Sequence, residues 1–443
     1  GAQTGSTDTS GMYGSSARAD ESRSVTHQST IEGLVKVDGF ISDNLVALGL
    51  INASVGDETY TTQRIGVIDT GPGNLTVRSF TSVDSVSDSV NAAIGYNTFA
   101  EQDVGSVINA GGDHTLGDVS ILSTSVGELN AALGANTQAT MRMVTLAGSV
   151  GGRVNSKSLI NDPLNATLGY RTQSTMDLGY WAGDIRGSGS LFLQSAAALS
   201  ASIGEQTNAR VGLANTGTNS VLQNLDMSVI SEGALAAPIG YASAAEVSLG
   251  EVLGSAGTTM THVTTGPVLS ASLGSRSSVL NRVGYLGEGK RISGHYNSNV
   301  KTLALMAFAL GDRTTAKNVI GAVQGNIGGN ADINIDIGEV MTGTVGENTL
   351  AETMVGNVLH DVSGDVNIDI VVGAINSFAV GLSTGKTIYS KTYVGNVTSP
   401  RGAANIKVHS GAIFNLGIGL DILGINLTRQ GCVNIGNVGG NGC

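Results

Sequence analysis

Few side chains in this sequence are of the types that carry chemistry. There are six His, two Cys and one Trp in 443 residues, with 35 Asp+Glu against 23 Lys+Arg. The six His, at 27, 114, 262, 295, 360 and 409, are scattered. No Walker loop, His-Glu-x-x-His or Cys-x-x-Cys occurs. Three groupings remain. Asp113, His114 and Asp118 in GGDHTLGD offer oxygen and imidazole donors to a metal, but so many Gly and Asp read better as a turn. Asp336, Asp369 and Lys407 lie at equivalent places in NIDI (334–337), NIDI (367–370) and NIKV (405–408). Stacked, the two carboxylates would repel unless a cation intervened. Lys407 supplies one; a calcium ion is the sharper alternative and would want more oxygens. Cys432 and Cys443 are the only thiols and are expected to form a disulfide closing a small C-terminal loop, which suits an oxidising compartment.

Whole classes of function fit poorly. Sugar-cleaving sites need clustered carboxylates and aromatic platforms, and one Trp with ten Tyr is poor material. A net charge of −12 weighs against nucleic acid or an anionic membrane as partner. No apolar run is long enough to span a bilayer as a helix. The chain is read as a non-enzyme with no cofactor and no metal.

The elements that position these residues are set by a repeat. A phrase of small or polar residues, an aliphatic, Gly, two variable residues and Thr recurs at Gly56, Gly95, Gly134, Gly169, Gly204, Gly240, Gly274, Gly311, Gly346, Gly381 and Gly417. The spacing is close to 36 residues. Before each Gly stands an aliphatic residue: Val55, Ile94, Leu133, Leu168, Ile203, Ile239, Leu273, Leu310, Val345, Val380 and Leu416. Three residues after it stands Thr59, Thr98, Thr137, Thr172, Thr207, Thr314, Thr349 or Thr384, with Ser243 and Ser277 substituting. A second Gly often follows ten residues after the first, as at Gly66, Gly105 and Gly179. Segments between glycines are of strand length and often alternate, as in ADINIDIG (331–338), whereas a helical repeat would need longer stretches with little Gly. The stretch LALMAFAL (303–310) is compatible with a short helix or a buried strand.

The expected fold is therefore all-β: a β-solenoid, parallel β-helix-like, of about eleven repeats of ~36 residues with one coil per repeat. The aliphatic column is expected to be the buried core. The Thr column and the column Asn52, Asn91, Asn130 and Asn165 are expected to form hydrogen-bonded ladders along the axis. Residues 1–30 read as a polar arm, 31–430 as the solenoid and 431–443 as the disulfide loop.

The phrase carried by Asn130, Ala131, Ala132, Gly134, Asn136 and Gln138 resembles the repeats of secreted bacterial functional amyloids of the Fap type. The resemblance implies an extracellular fibre subunit with stacked β-layers and a C-terminal Cys pair.

The expected function is that of a secreted structural protein, outside the cell or on its surface, whose partner is itself. Uncapped solenoid ends would meet head to tail in a filament or matrix fibre. The start at Gly1 rather than Met is read as a processed end. The alternative is a monomeric β-helix acting as a surface adhesin or on polysaccharide.

Overall fold

A computed structural model describes residues 14–18, 23–28, 35–69, 75–108, 115–381, 387–419 and 431–439. Among them every regular element is a β-strand, and neighbouring coils pair in parallel. The chain is a β-solenoid of about 10 turns of ~36 residues. Its contacts divide it into two units. One holds residues 1–202, 211–230 and 253–256; the other holds 203–210, 231–252 and 257–443.

In the first unit one coil runs through Leu75–Ser87, Val90–Tyr96, Phe99–Val104 and the short Val107–Ile108. The next coil repeats this with Thr115–Val126, Leu129–Ala135 and Thr137–Met143. Val90, Asn91 and Ala92 lie beside Leu129, Asn130 and Ala131. Those in turn lie beside Leu164, Asn165 and Ala166. In the second unit the strands Tyr296–Leu310, Ala331–Gly346, Val366–Gly381 and Ala404–Gly419 stack, each followed by a shorter one, such as Asn348–Val355 or Ile388–Val394. The stretch at 303–310 is thus strand. One coil per repeat holds throughout these stacks.

The coils are wide at one end and narrow at the other. The wide end is filled by large side chains: Ile333, Ile335 and Ile337 in one coil, Ile368, Ile370 and Val372 in the next, all buried. The narrow end is lined by Ala93, Ala100, Ala132 and Ala139, with buried Ser, Thr and Asn. The recurring phrase lies on this narrow end. Two glycine columns shape the coil. The second Gly of the repeat turns a corner with positive φ, 59° at Gly66 and 56° at Gly105, where only Gly is free of Cβ strain. The first Gly has φ of 139° at Gly134 and 146° at Gly169. Here the coils also approach so closely that a Cβ on Gly134 would lie 1.5 Å from the Gly95 carbonyl oxygen.

The repeat domain extends past both drawn boundaries. Within the supposed arm, Gly14–Arg18 pairs with Ile51–Val55 and Arg23–Gln28 with Tyr60–Ile65. At the other end Gly431–Ile435, assigned to the disulfide loop, pairs with the strand Ile388–Val394. Composition hid both, because a strand held by backbone ladders needs no apolar content. The Cys432–Cys443 pairing lies outside the described residues.

Gly134→Ala should therefore be among the most damaging small substitutions, because backbone rather than a movable side chain blocks the new methyl. A loss of several kcal/mol is expected. Gly289→Ala, where φ is 70° but nothing lies within 4 Å, should cost only about 1 kcal/mol. Chemical denaturation of the two variants compares them.

Candidate functional site

The phrase strand is inverted relative to expectation. In Val90–Tyr96 the inward residues are Asn91 and Ala93, and Ile94 points out. The aliphatic column stacks in register, Val55 beside Ile94, Ile94 beside Leu133 and Leu133 beside Leu168. It is nevertheless a surface stripe. Val55, Ile94, Leu168, Ile203, Ile239, Leu273 and Leu310 are 42–50 % exposed, and Leu133, Val345, Val380 and Leu416 are half-buried. Leu416 is also displaced by two positions. It lies beside Phe378, and Ile418 is the residue beside Val380. The physical reason is volume. The space between the two strands meeting at the narrow end is filled mainly by Ala, Ser, Thr and Asn, with Ile388 the larger residue beside Thr349.

The Asn column forms the expected ladder and does more. Asn52 Nδ2 donates to Asn91 Oδ1 at 3.1 Å, Asn91 to Asn130 at 2.9 Å and Asn130 to Asn165 at 2.9 Å. Each Nδ2 also donates across the narrow end, to the carbonyls of Thr62, Glu101, Thr140 and Thr175, at 2.8–2.9 Å. One amide thus ties its coil to the next coil and to the facing strand, satisfying polar groups that would otherwise be costly to bury.

The Thr column stacks but is not a hydrogen-bonded ladder. Thr137 lies beside Thr172, and Ser277 beside Thr314, which lies beside Thr349. Yet Oγ1 of Thr59, Thr98, Thr137, Thr207, Thr314 and Thr349 is buried with no hydrogen-bond partner. Thr172 differs, sharing a 2.5 Å bond with Ser202 Oγ. Thr384 lies outside the described residues, and Ile388 is the residue beside Thr349. The column serves as compact filler at the αL corner.

The charged column is partly re-registered. Asp369 does lie beside Lys407, and Asn367 beside Asn405. One coil earlier the match slips by two: Asn334 lies beside Asp369, and Asp336 beside Val371. Asp336 instead meets Lys301, its Oδ2 3.5 Å from Nζ. Both groups are well exposed, so this pair adds little stability. The two acids are not stacked, which removes the ground for calcium between them. Among the described residues no cluster of three His, Cys, Asp or Glu could hold a metal. Asp113 and His114 lie outside the described residues, and Asp118 falls within the strand Thr115–Val126.

Sequence reasoning missed a different charge pattern. Arg64, Asp103, Arg142 and Asp177 occupy one column on four successive coils, with alternating sign. Arg142 Nε donates to Asp103 Oδ1 at 2.7 Å, and its Nη2 reaches Glu101. In the second unit Lys317, Glu352 and Lys391 alternate likewise, with Lys317 Nζ 2.7 Å from Glu352 Oε2. The signal was present: Arg64, Asp103 and Asp177 each stand two residues before the corner glycines Gly66, Gly105 and Gly179.

Two of the buried acids have their pKa raised to near neutral pH or above. Glu128 accepts from Ser125 Oγ at 2.9 Å and Gln102 Nε2 at 3.0 Å, and burial pushes its pKa up to about 8. Burial likewise raises Glu251 to about 7, against the pull of its ion pair with Arg282.

Two polar grooves lie among the described residues. One, of about 550 Å³, is lined by Asp118, Arg153, Asn155 and Asp226; the other, of about 430 Å³, by His262, Lys301, Asp336 and Asp369. No Phe, Tyr or Trp lines either of these two, and Trp181 is fully buried. No helix among the described residues is long and apolar enough to cross a membrane.

Glu128 generates a pH prediction. Its folded pKa lies above the unfolded value, so the folded state binds the extra proton between about pH 4.5 and 8. Stability should be full below about pH 4.5 and fall as pH rises to about 8. Glu128→Gln, which cannot ionise, should match the wild type near pH 4 and exceed it near pH 9 by on the order of 2–4 kcal/mol. Denaturation across this range measures the difference.

No family model, curated protein or solved structure matches this chain.

Proposed function

We propose that this chain is a structural protein that assembles head to tail into an extracellular filament. The observation that carries the reading is the edge of Ala404–Gly419. This strand pairs with Val366–Gly381 on one side, and no described strand covers the other. Its inward residues Ile406 and Val408 are half-exposed, whereas their partners Ile368 and Ile370 in the coil behind are buried. A parallel edge that no described strand covers, with a half-exposed core row, is a template for another strand of the same type. A second copy placed there makes a heterologous contact that repeats indefinitely.

Other features support this reading over catalysis. The interior ladders rigidify the stack, and the grooves lack the aromatic platforms a polysaccharide enzyme uses. The likeness of the phrase to Fap-type fibre repeats points the same way. Few Lys and Arg leave few sites for proteases that cut after them, useful outside a cell.

The test follows from ladder polarity. Val366 N donates forward to Ala403 O, so by alternation Ala404, Ile406 and Val408 direct their N–H groups to the bare side. Val408→Pro removes one forward donor and none that faces Val366–Gly381. Wild-type protein should form filaments in negative-stain micrographs and sediment as polymer. Val408→Pro should keep the β circular dichroism and lose most polymer. A wild type that stays monomeric at high concentration would replace this reading with that of a monomeric adhesin or polysaccharide-acting enzyme.

A further inference from the structure

The outward side of the phrase strand in the second unit is apolar across three columns except at Asn376, whose Nδ2 donates to Glu339 Oε1 at 3.0 Å. In one coil of the second unit it presents Leu269, Ala271 and Leu273; in the next, Met306, Phe308 and Leu310. Its outermost column in this unit includes Ile239, Leu273, Leu310, Val345, Val380 and Ile418. No charged side chain falls within these three columns over those six coils. The stripe also has relief. Phe308, Gly343 and Phe378 follow one another in the middle column, the two rings 6.3 Å apart over the glycine. Phe308 and Phe378 help line an apolar groove of about 380 Å³, bordered by Leu310 and Val345.

We propose that this stripe docks against the same stripe of a second copy, pairing solenoids face to face. The direction is across the axis, so the proposal is separate from head-to-tail growth. Three observations favour a second copy. First, the rows recur at the strand spacing of about 4.8 Å, and a surface with that period is matched along its whole length only by another stack of parallel coils. Second, six rows by three columns cover roughly 600 Å² in projection, taking about 4.8 Å per row and about 6.6 Å per column. A pair of copies would bury about 1,200 Å² in all, the lower bound for stable interfaces. Third, with no charge in the stripe, two copies meet without like-charge repulsion, and the groove beside Gly343 receives an aliphatic side chain of the size the facing stripe offers.

Leu310→Lys puts a charge midway along the outermost column of the stripe without touching the ladders. Ser278→Lys, on an exposed position of the strand Arg276–Val283, is the control. Sedimentation is followed over a wide concentration range in the Val408→Pro background, so that pairing is read as a discrete dimer, and filament width is measured in chains with Val408. Wild-type stripes should pair. Leu310→Lys should weaken pairing at least tenfold and leave single-width filaments. Leu310→Thr, a strand-compatible change that guards against misfolding, should weaken it less. Ser278→Lys should leave it unchanged. Pairing that survives Leu310→Lys, or falls equally with Ser278→Lys, overturns the proposal. So does a wild-type stripe that never pairs, including one that stays single yet adsorbs to a hydrocarbon surface. Loss of filaments with dimers retained refutes the head-to-tail reading alone.

Discussion

The narrow end of the coil is the constraint on which the rest of the structure depends. There two strands of the same coil come within reach of one short amide: Asn91 Nδ2 spans from its own strand to the Glu101 carbonyl in 2.9 Å. A gap of that size favours Asn, Ala, Ser and Thr. Large apolar groups of the same strand are then forced outward, glycine is required where successive coils touch at Gly95 and Gly134, and a left-handed corner follows. The wide end, packed with Ile and Val, supplies the ordinary hydrophobic stabilisation. The narrow end supplies the register, because a hydrogen-bonded amide ladder fits in one alignment only.

This inversion also explains which parts of the fold were legible in sequence. Period, strand content and the single coil per repeat could be read from spacing, because identical columns stack whatever lies inside. The sense of the phrase strand could not. Alternation separates Asn91 and Ala93 from Ala92 and Ile94, but does not say which pair faces in. The usual preference for aliphatics inside fails where the cavity is too thin to hold them. The charged column failed for another reason. The motif NIDI is self-similar at a shift of two, so Asn334 and Asp336 each find a plausible partner in the next coil. The glycines beyond it are better anchors: Ile337 and Glu339 lie beside Val372 and Ala374, which stacks Gly338 on Gly373. Aligned there, Asp336 meets Val371 and the supposed acid pair disappears.

The two proposed contacts use different kinds of surface. A bare strand edge is directional and lengthens a stack; a flat apolar face is lateral and thickens it. The two draw on different physics. Edge pairing is a matter of backbone hydrogen bonds and is indifferent to side-chain identity, whereas face pairing depends on side-chain shape and weakens with cooling, as hydrophobic contacts do. The buried Glu128 adds a proton-sensitive element to the interior of the stack.

The alternating column of Arg64, Asp103, Arg142 and Asp177 has a period of two coils, although the backbone has a period of one. Such a stack obeys a parity rule. Duplicating or deleting a single coil within it sets Arg on Arg or Asp on Asp at the scar, half-buried and a strand spacing apart. Adding or removing coils in pairs leaves every neighbour opposite in sign. Length variation by unequal recombination within this part of the chain should therefore proceed by even numbers of coils, a limit imposed by electrostatics on a backbone that by itself would accept any number.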